Sequence, residues 1–324
     1  MYKKSALLTF YAETPIHMGA GQSVSYVDLP VQREKHTSFP VLWASGIKGV
    51  IRDLAYRFWS SISDSYNTAK EKVEIIFGPE DGSDFASCIS IIDAKILLYP
   101  VRSIRGIFAW ITCPFVLKRF KENLDAIGFT YKNNVFQIPE ITDDKVYIAN
   151  DYLKIQEQNK VVLEEFVFSS VVDDNQSQNA NNLVQFLKEI LPNNSLTKTL
   201  ENHFAIVSDD VFKDFVNYAV EIRTRIKIDQ AKGTVKEAAL FSEELIPSES
   251  IFYSLVFIKD PLKQNSQLKD AENVFLEVMS LFKINTLLQL GGDETTGKGY
   301  VRVKFYPSQI PQNSQKQFQQ EGNP

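Results

Sequence analysis

The chain has 324 residues, 44% of them hydrophobic and 12% aromatic, enough for a sizeable core in one elaborated domain or two ordinary ones. Its 35 Lys and Arg against 40 Asp and Glu give a net charge of -5, which argues against attraction of a polyanion over the whole surface but leaves room for a local basic groove. With only Cys88 and Cys113, neither near a histidine in sequence, a disulfide framework is excluded by count, a zinc site is disfavoured, and a reducing cytoplasm is the expected setting.

At the N-terminus two lysines precede an apolar run that resembles a secretion signal. Good strand formers fill residues 6–12 and no small-residue cleavage site follows, so a strand is expected there. No apolar run approaches a membrane span. The stretch over 13–52 organises the rest. It is a loop long for a compact domain, without amphipathic period, and it holds His17, His36 and the isolated acid Asp28. After Phe39-Pro40 a helix is expected, capped by Ser45 and with Lys48 in its first turn. The helix dipole disfavours a cation there unless an anion is also present, so the backbone amides and Lys48 predict a phosphate seat. Ile47, Val50, Ile51, Leu54, Ala55, Phe58 and Trp59 fall at helical spacing and predict one face packed on a core, while Lys48 and Arg52 lie one turn apart on another.

A second helix over 68–77 stops at Gly78-Pro79. Residues 89–99 read as one mostly buried strand with Arg102 and Arg105 in the following turn, and 106–112 as another strand. Pro114 opens a helix whose Lys118, Arg119 and Lys121 read as a solvated face. Short strands are expected within 133–172, a polar loop over 173–182, and helices near 183–191 and 211–220. Then Arg223, Arg225 and Lys227 alternate with Thr224, Ile226 and Ile228, which predicts a strand with one basic face. Residues 229–233 supply a hairpin turn, and the return strand leads to Glu243 and Glu244. A strand over 251–258, a helix over 268–282, a strand over 287–290, a glycine-rich loop over 291–299 and a strand over 300–306 complete the body. The Gln-rich tail is expected to be disordered. This skeleton predicts an α+β, ferredoxin-like (RRM-like) core with large insertions and a protruding hairpin, without an internal repeat.

The run GGDETTGKG matches a phosphate-loop pattern through Gly292, Gly297 and Lys298. Gly299 stands where a magnesium-holding hydroxyl is required, a strand follows, and Asp293 and Glu294 would repel phosphates. The loop is either a mobile turn or a place where glycine lets a backbone approach closely, with Lys298, Arg302 and Lys304 touching a polyanion. His17 and His203 read as structural histidines. Asp28 either caps a turn or, as a lone carboxylate, holds one hydrated Mg2+ (or another divalent cation) or places a 2′-hydroxyl for in-line attack on its own phosphate. No Ser-His-Asp or paired-carboxylate pattern competes.

Taken together, ETPIHMGAG, VDLPVQREKHTSFPVLWASGIKGVIR, RTRIKID and GGDETTGKGYVRV resemble the RAMP superfamily, and more narrowly the repeated backbone subunit of the type III-B CRISPR (Cmr) effector complex. The resemblance implies a single crab-claw domain: a palm over 1–112 and 250–306, an insertion over 113–221, a thumb hairpin over 222–249 and a tail over 307–324. It implies head-to-tail stacking of copies along a guide RNA beside other Cmr subunits, with the thumb displacing a base pair between guide and target at regular intervals. It also implies metal-dependent cleavage of the bound target RNA, with Asp28 as the required acid, His17 near the cut and Glu243 close by. Ser45, Lys48 and Arg52 match the guide-phosphate seat, although Ala44-Ser45-Gly46-Ile47-Lys48-Gly49 stands where the superfamily more often has Gly-Ser-Ser-Leu-Lys-Gly. Arg223, Arg225, Lys298 and Arg302 would complete a basic groove. Two alternatives remain: a non-catalytic ruler subunit in which Asp28 only caps a loop, and a stand-alone endonuclease that processes precursor guide RNA.

Overall fold

The computed structural model describes residues 2–22, 27–62, 66–82, 84–129, 138–155, 158–171, 174–229, 231–265, 267–282 and 286–308. Of the expected disordered tail over 307–324, Pro307 closes the last strand and Ser308 is buried, and the rest lies outside the described residues. Chain order begins β1 (Lys4–Ala12), β2 (Val41–Leu42), α1 (Ala44–Ile62), α2 (Tyr66–Phe77), β3 (Ile89–Ile91), β4 (Ala94–Arg102), β5 (Phe108–Thr112) and α3 (Pro114–Ala126). It continues with β6 (Lys145–Ile148), β7 (Lys160–Leu163), β8 (Phe166–Val171), α4 (Asp174–Ile190), α5 (Leu200–His203), β9 (Phe204–Ile206) and α6 (Asp209–Tyr218). It closes with β10 (Glu221–Asp229), β11 (Thr234–Leu245), β12 (Ile251–Ile258), α7 (Ala271–Ser280), β13 (Thr286–Gln289) and β14 (Tyr300–Pro307).

All strands but two join one mixed sheet in the order β13-β14-β1-β12-β4-β5-β9-β6-β8-β7, with β2 on β4 and β3 on β12. The chain is therefore α+β around a large mixed sheet. Near its middle, β14, β1, β12 and β4 are antiparallel neighbours. β1 is buried from Ala6 to Ala12 because both faces are covered. On one side Phe305, beside Leu8, meets Phe275 of α7, and on the other Thr9 donates its hydroxyl to the Ile190 carbonyl at the end of α4. Complete burial removes the polar alternation that a half-exposed strand would show. β10 and β11 form a separate two-stranded ribbon, which among the described residues pairs with the rest through a single bridge from Leu29 to Glu243. Among the described residues no helix is long and apolar enough to cross a membrane.

Helix ends follow local chemistry. Ser208 caps α6 by accepting from the Val211 amide, and Asp270 caps α7 by accepting from Asn273. Five expectations need correction. α1 starts at Ala44, so Ser45 lies inside its first turn; the Ala44 amide donates instead to Asp93 Oδ1 at 2.7 Å, a cap supplied from another element. The expected strand over 89–99 is broken between β3 and β4, where β3 pairs with β12 and β4 turns to take β2 and β5. Arg102 closes β4 rather than lying in the turn. The expected polar loop over 173–182 belongs mostly to α4, where buried Ala180 keeps helical spacing with Leu183, Val184 and Leu187. Finally, Lys118 and Lys121 on α3 are exposed as expected, but Arg119 is largely buried against Glu34.

Candidate functional site

The loop between β1 and β2 is held by backbone bonds to two other segments. Ile16 and Ile246 exchange amide–carbonyl bonds, each 2.9 Å, just beyond β11. The Leu29 amide donates to Ser242 O, and the Glu244 amide to Leu29 O. On the other side Gly299 N donates to Pro15 O and Gly292 N to His17 O. The glycine-rich loop thus does bring a backbone close, but the backbone is this chain's own. A Cβ at Gly291 would lie 2.3 Å from the His17 carbonyl oxygen, and Gly291 has φ +84°.

Side chains of the QRE-x-HT run complete the anchoring. Arg33 donates to the Ser38 and Val216 carbonyls and to Glu244 Oε1, while the Val31 amide donates to Glu244 Oε2. Glu34 receives both Arg119 and the Thr37 hydroxyl. These residues shape the loop rather than face a ligand, and His36 beside them is exposed.

Two predicted site residues meet below the root of the ribbon. His17 Nδ1 donates to the Glu244 carbonyl at 2.9 Å and lies 3.6 Å from Glu243 Oε1. A carbonyl only accepts, so in the neutral ring Nδ1 carries the proton and Nε2 is bare. Nε2 faces Gly19, where a Cβ would sit 2.9 Å away. Glu243 is 1% exposed; its Oε2 accepts from Arg225 at 3.2 Å and its Oε1 has no hydrogen-bond partner among the described residues. Arg225 also reaches Asp293 Oδ1 at 2.6 Å. Burial first, then the adjacent Asp293 carboxylate, raise the Glu243 pKa. The Glu243 carboxyl and Arg225 hold Asp293 below its usual range.

Asp28 lies apart from this cluster. Its Oδ2 accepts from both the amide and the hydroxyl of Ser242, at 2.7 and 2.8 Å, and these bonds lower its pKa although the residue is exposed. Successive side chains of a strand point to opposite faces, so Ser242 with Asp28 and Glu243 with His17 occupy opposite faces of β11.

The predicted basic residues divide into two groups. Lys48 and Arg52 are half-buried with no acid in ion-pair range among the described residues; burial, then Arg52, lower the Lys48 pKa. Arg52 donates to the Gly78 carbonyl at 2.5 Å, and Ser45 is exposed at the same helix end. These two adjacent cations adjoin the loop, because Gly46 abuts Met18. Lys298 is half-exposed and also without an acid partner among the described residues. Arg302, by contrast, donates to Glu13 at 2.5 Å, Arg223 is paired with Glu221, and Arg225 with Glu243 and Asp293.

Ser242, Asp293 and Asp93 were not singled out as site residues by sequence. Each acts on a residue far away in the chain, and Asp293 reads there only as a charge hostile to phosphate. His203 is structural as expected: its Nδ1 donates to the Phe108 carbonyl at 3.0 Å and its ring stacks on the Phe108 ring at 4.7 Å.

A model of the RAMP superfamily matches residues 9–302. Over 303 residues the chain is 39% identical to the CRISPR system Cmr endoribonuclease Cmr4 of Pyrococcus furiosus, spanning 93% of this chain and 95% of that protein. The crystal structure of oligomeric Cmr4 from Pyrococcus furiosus is similar with a TM-score of 0.71 at 34% identity, over 95% of this chain and 99% of that one. A chain in the cryo-EM structure of the Type III-B Cmr-beta complex bound to cognate target RNA has a similar fold, with a TM-score of 0.70 at 20% identity over 94% and 98% of the two chains.

Proposed function

This chain belongs to the RAMP superfamily, and from that premise we propose that it is the endoribonuclease subunit of a type III-B Cmr complex. It binds guide RNA, associates with further copies of itself and with other Cmr subunits, and cleaves the complementary target RNA. Its setting is the cytoplasm. The antiparallel order β14-β1-β12-β4, crossed by α1 and α7, supports a ferredoxin-like palm. The isolated ribbon, with Ile222, Ile226, Ile228 and Leu240 each at least 49% exposed, supports a thumb that inserts an apolar edge among stacked bases.

The observation that carries the catalytic reading is Asp28: an exposed carboxylate fixed by two bonds from Ser242 at the root of that ribbon. Lys48 and Arg52 seat a phosphate by charge, independent of base sequence. Asp28 then orients a target 2′-hydroxyl, which gives its proton to water as its oxygen attacks the adjacent phosphorus, while the 5′-oxygen leaves and takes a proton from water. The products are a 2′,3′-cyclic phosphate and a 5′-hydroxyl. This chemistry demands mainly alignment and charge from the protein. With one oxygen committed to Ser242, Asp28 fits a hydrated Mg2+ that keeps most of its waters. Such an ion supplies positive charge beside the phosphate. His17 and Glu243 support the centre from the opposite face of β11.

Cleavage of labelled complementary RNA by the guide-loaded complex tests the reading. Asp28→Asn is expected to abolish regularly spaced cuts while leaving guide and target binding intact. Cuts that persist in the variant overturn the assignment, and binding without cuts by either form establishes the ruler-subunit alternative.

A further inference from the structure

The cluster on the far side of β11 has an unmet valence. One ring nitrogen of His17 and one carboxylate oxygen each of Glu243 and Asp293 lie within 4.8 Å of one another. Three separate segments bring them together: the β1–β2 loop, β11 and the glycine-rich loop. Glu243 is 1% exposed, yet its Oε1, 3.6 Å from His17 Nδ1, has no hydrogen-bond donor among the described residues. A carboxylate oxygen buried without a donor is costly unless a cation or proton meets it.

Arg225 does not meet it. Its guanidinium bonds Glu243 Oε2 and Asp293 Oδ1, leaving the other oxygen of each acid to a different partner. Arg225 balances the ionised Asp293 while a proton is favoured on Glu243, so a divalent ion that displaces this proton meets two carboxylates against one guanidinium and leaves a residual positive charge facing whatever anion lies beside it. An imidazole among the donors selects against Mg2+, which favours oxygen ligands and retains water, and towards first-row transition ions.

We infer that His17, Glu243 and Asp293 form a second cation site, distinct from Asp28, that takes Mn2+ in preference to Mg2+, with His17 moving its ring proton to Nε2 and releasing the Glu244 carbonyl so that Nδ1 can ligate. Its bearing on catalysis rests on the RNA-cleaving reading above, because a cation there would brace the wall behind Asp28. Its existence does not rest on that reading. Asp293 has φ 59° and ψ 30°, the left-handed region that asparagine also tolerates, so Asp293→Asn removes a ligand charge without imposing backbone strain.

The test is Mn2+ titration of the full chain without RNA, followed by the electron paramagnetic resonance signal of free Mn2+, for wild type, Asp293→Asn and Asp28→Asn. Wild type is expected to bind one Mn2+ that excess Mg2+ displaces poorly. Asp293→Asn should weaken binding by at least about tenfold, the scale on which even supporting residues of metal sites act. Asp28→Asn should bind Mn2+ as wild type does. No binding by wild type, equal binding by Asp293→Asn, or loss confined to Asp28→Asn overturns the site and leaves the cleavage assay untouched. Should Asp293→Asn not fold, anomalous scattering from Mn2+-soaked wild-type crystals decides: a peak touching His17, Glu243 and Asp293 supports the site, and a peak elsewhere or none overturns it.

Discussion

Gly19 and Gly291 both crowd His17, and a methyl group at each has a different consequence. At Gly19 a Cβ would meet the Nε2 atom at 2.9 Å, and its φ is not in the left-handed region. The imidazole can swing away, so Gly19→Ala is expected to leave stability within about 1 kcal/mol while displacing the bare nitrogen. A misplaced site group costs about tenfold to a hundredfold in rate. At Gly291 the Cβ would meet the His17 carbonyl oxygen at 2.3 Å, and the backbone is at φ +84°, so backbone must yield and strain adds to the clash. Gly291→Ala is expected to cost at least about 2 kcal/mol. Denaturant unfolding and target cleavage, measured on both variants, should separate: activity lost with the fold intact for Gly19→Ala, and stability lost for Gly291→Ala. Equal destabilisation by both would show that His17 cannot move.

At the scale of elements, the β1–β2 loop is ordered by charges that its own sequence does not reveal as structural. The DLP-x-QRE-x-HT-x-FPV run carries part of the family resemblance, yet Arg33, Glu34 and Thr37 serve to tie the loop to α3, α6 and β11. Glu244 is 6% exposed and shares its two oxygens between Arg33 and the Val31 amide. Arg33→Ala would leave that carboxylate buried without its counter-charge, a loss of about 3–5 kcal/mol. Unfolding in denaturant checks this, and a change under about 1 kcal/mol would put the anchor elsewhere. Periodicity made β14, α1, α6 and the ribbon readable, because each buries a regular face or alternates, whereas β1, buried on both faces, was readable only from its strand-forming residues. It failed for α4, whose polar N-terminal half carries no apolar stripe until Ala180. Asp293 failed differently: its meeting with Glu243 and His17 is a product of tertiary closure, and no local pattern encodes it.

For the molecule as a whole, a net charge of -5 must coexist with RNA binding, so the charges that matter are those not already spent. Sequence counts six cations for a groove but cannot show the acids opposite them. Glu13 takes Arg302, Glu221 takes Arg223, and Glu243 with Asp293 take Arg225. Lys48, Arg52 and Lys298 have no acid in range among the described residues. A cation already paired releases few counterions when RNA arrives, whereas an unpaired one exchanges its anion atmosphere for a phosphate. The Lys48→Ala/Arg52→Ala double variant is therefore expected to flatten the dependence of log K on log salt by about 1.4, two contacts at about 0.7 each for single-stranded RNA. Arg302→Ala should leave that slope unchanged. Guide-RNA affinity of the full chain across a salt series decides between them. Equal flattening by Arg302→Ala would mean that the Glu13 pair opens when RNA binds, and the groove would then be wider than the resting ion pairs allow.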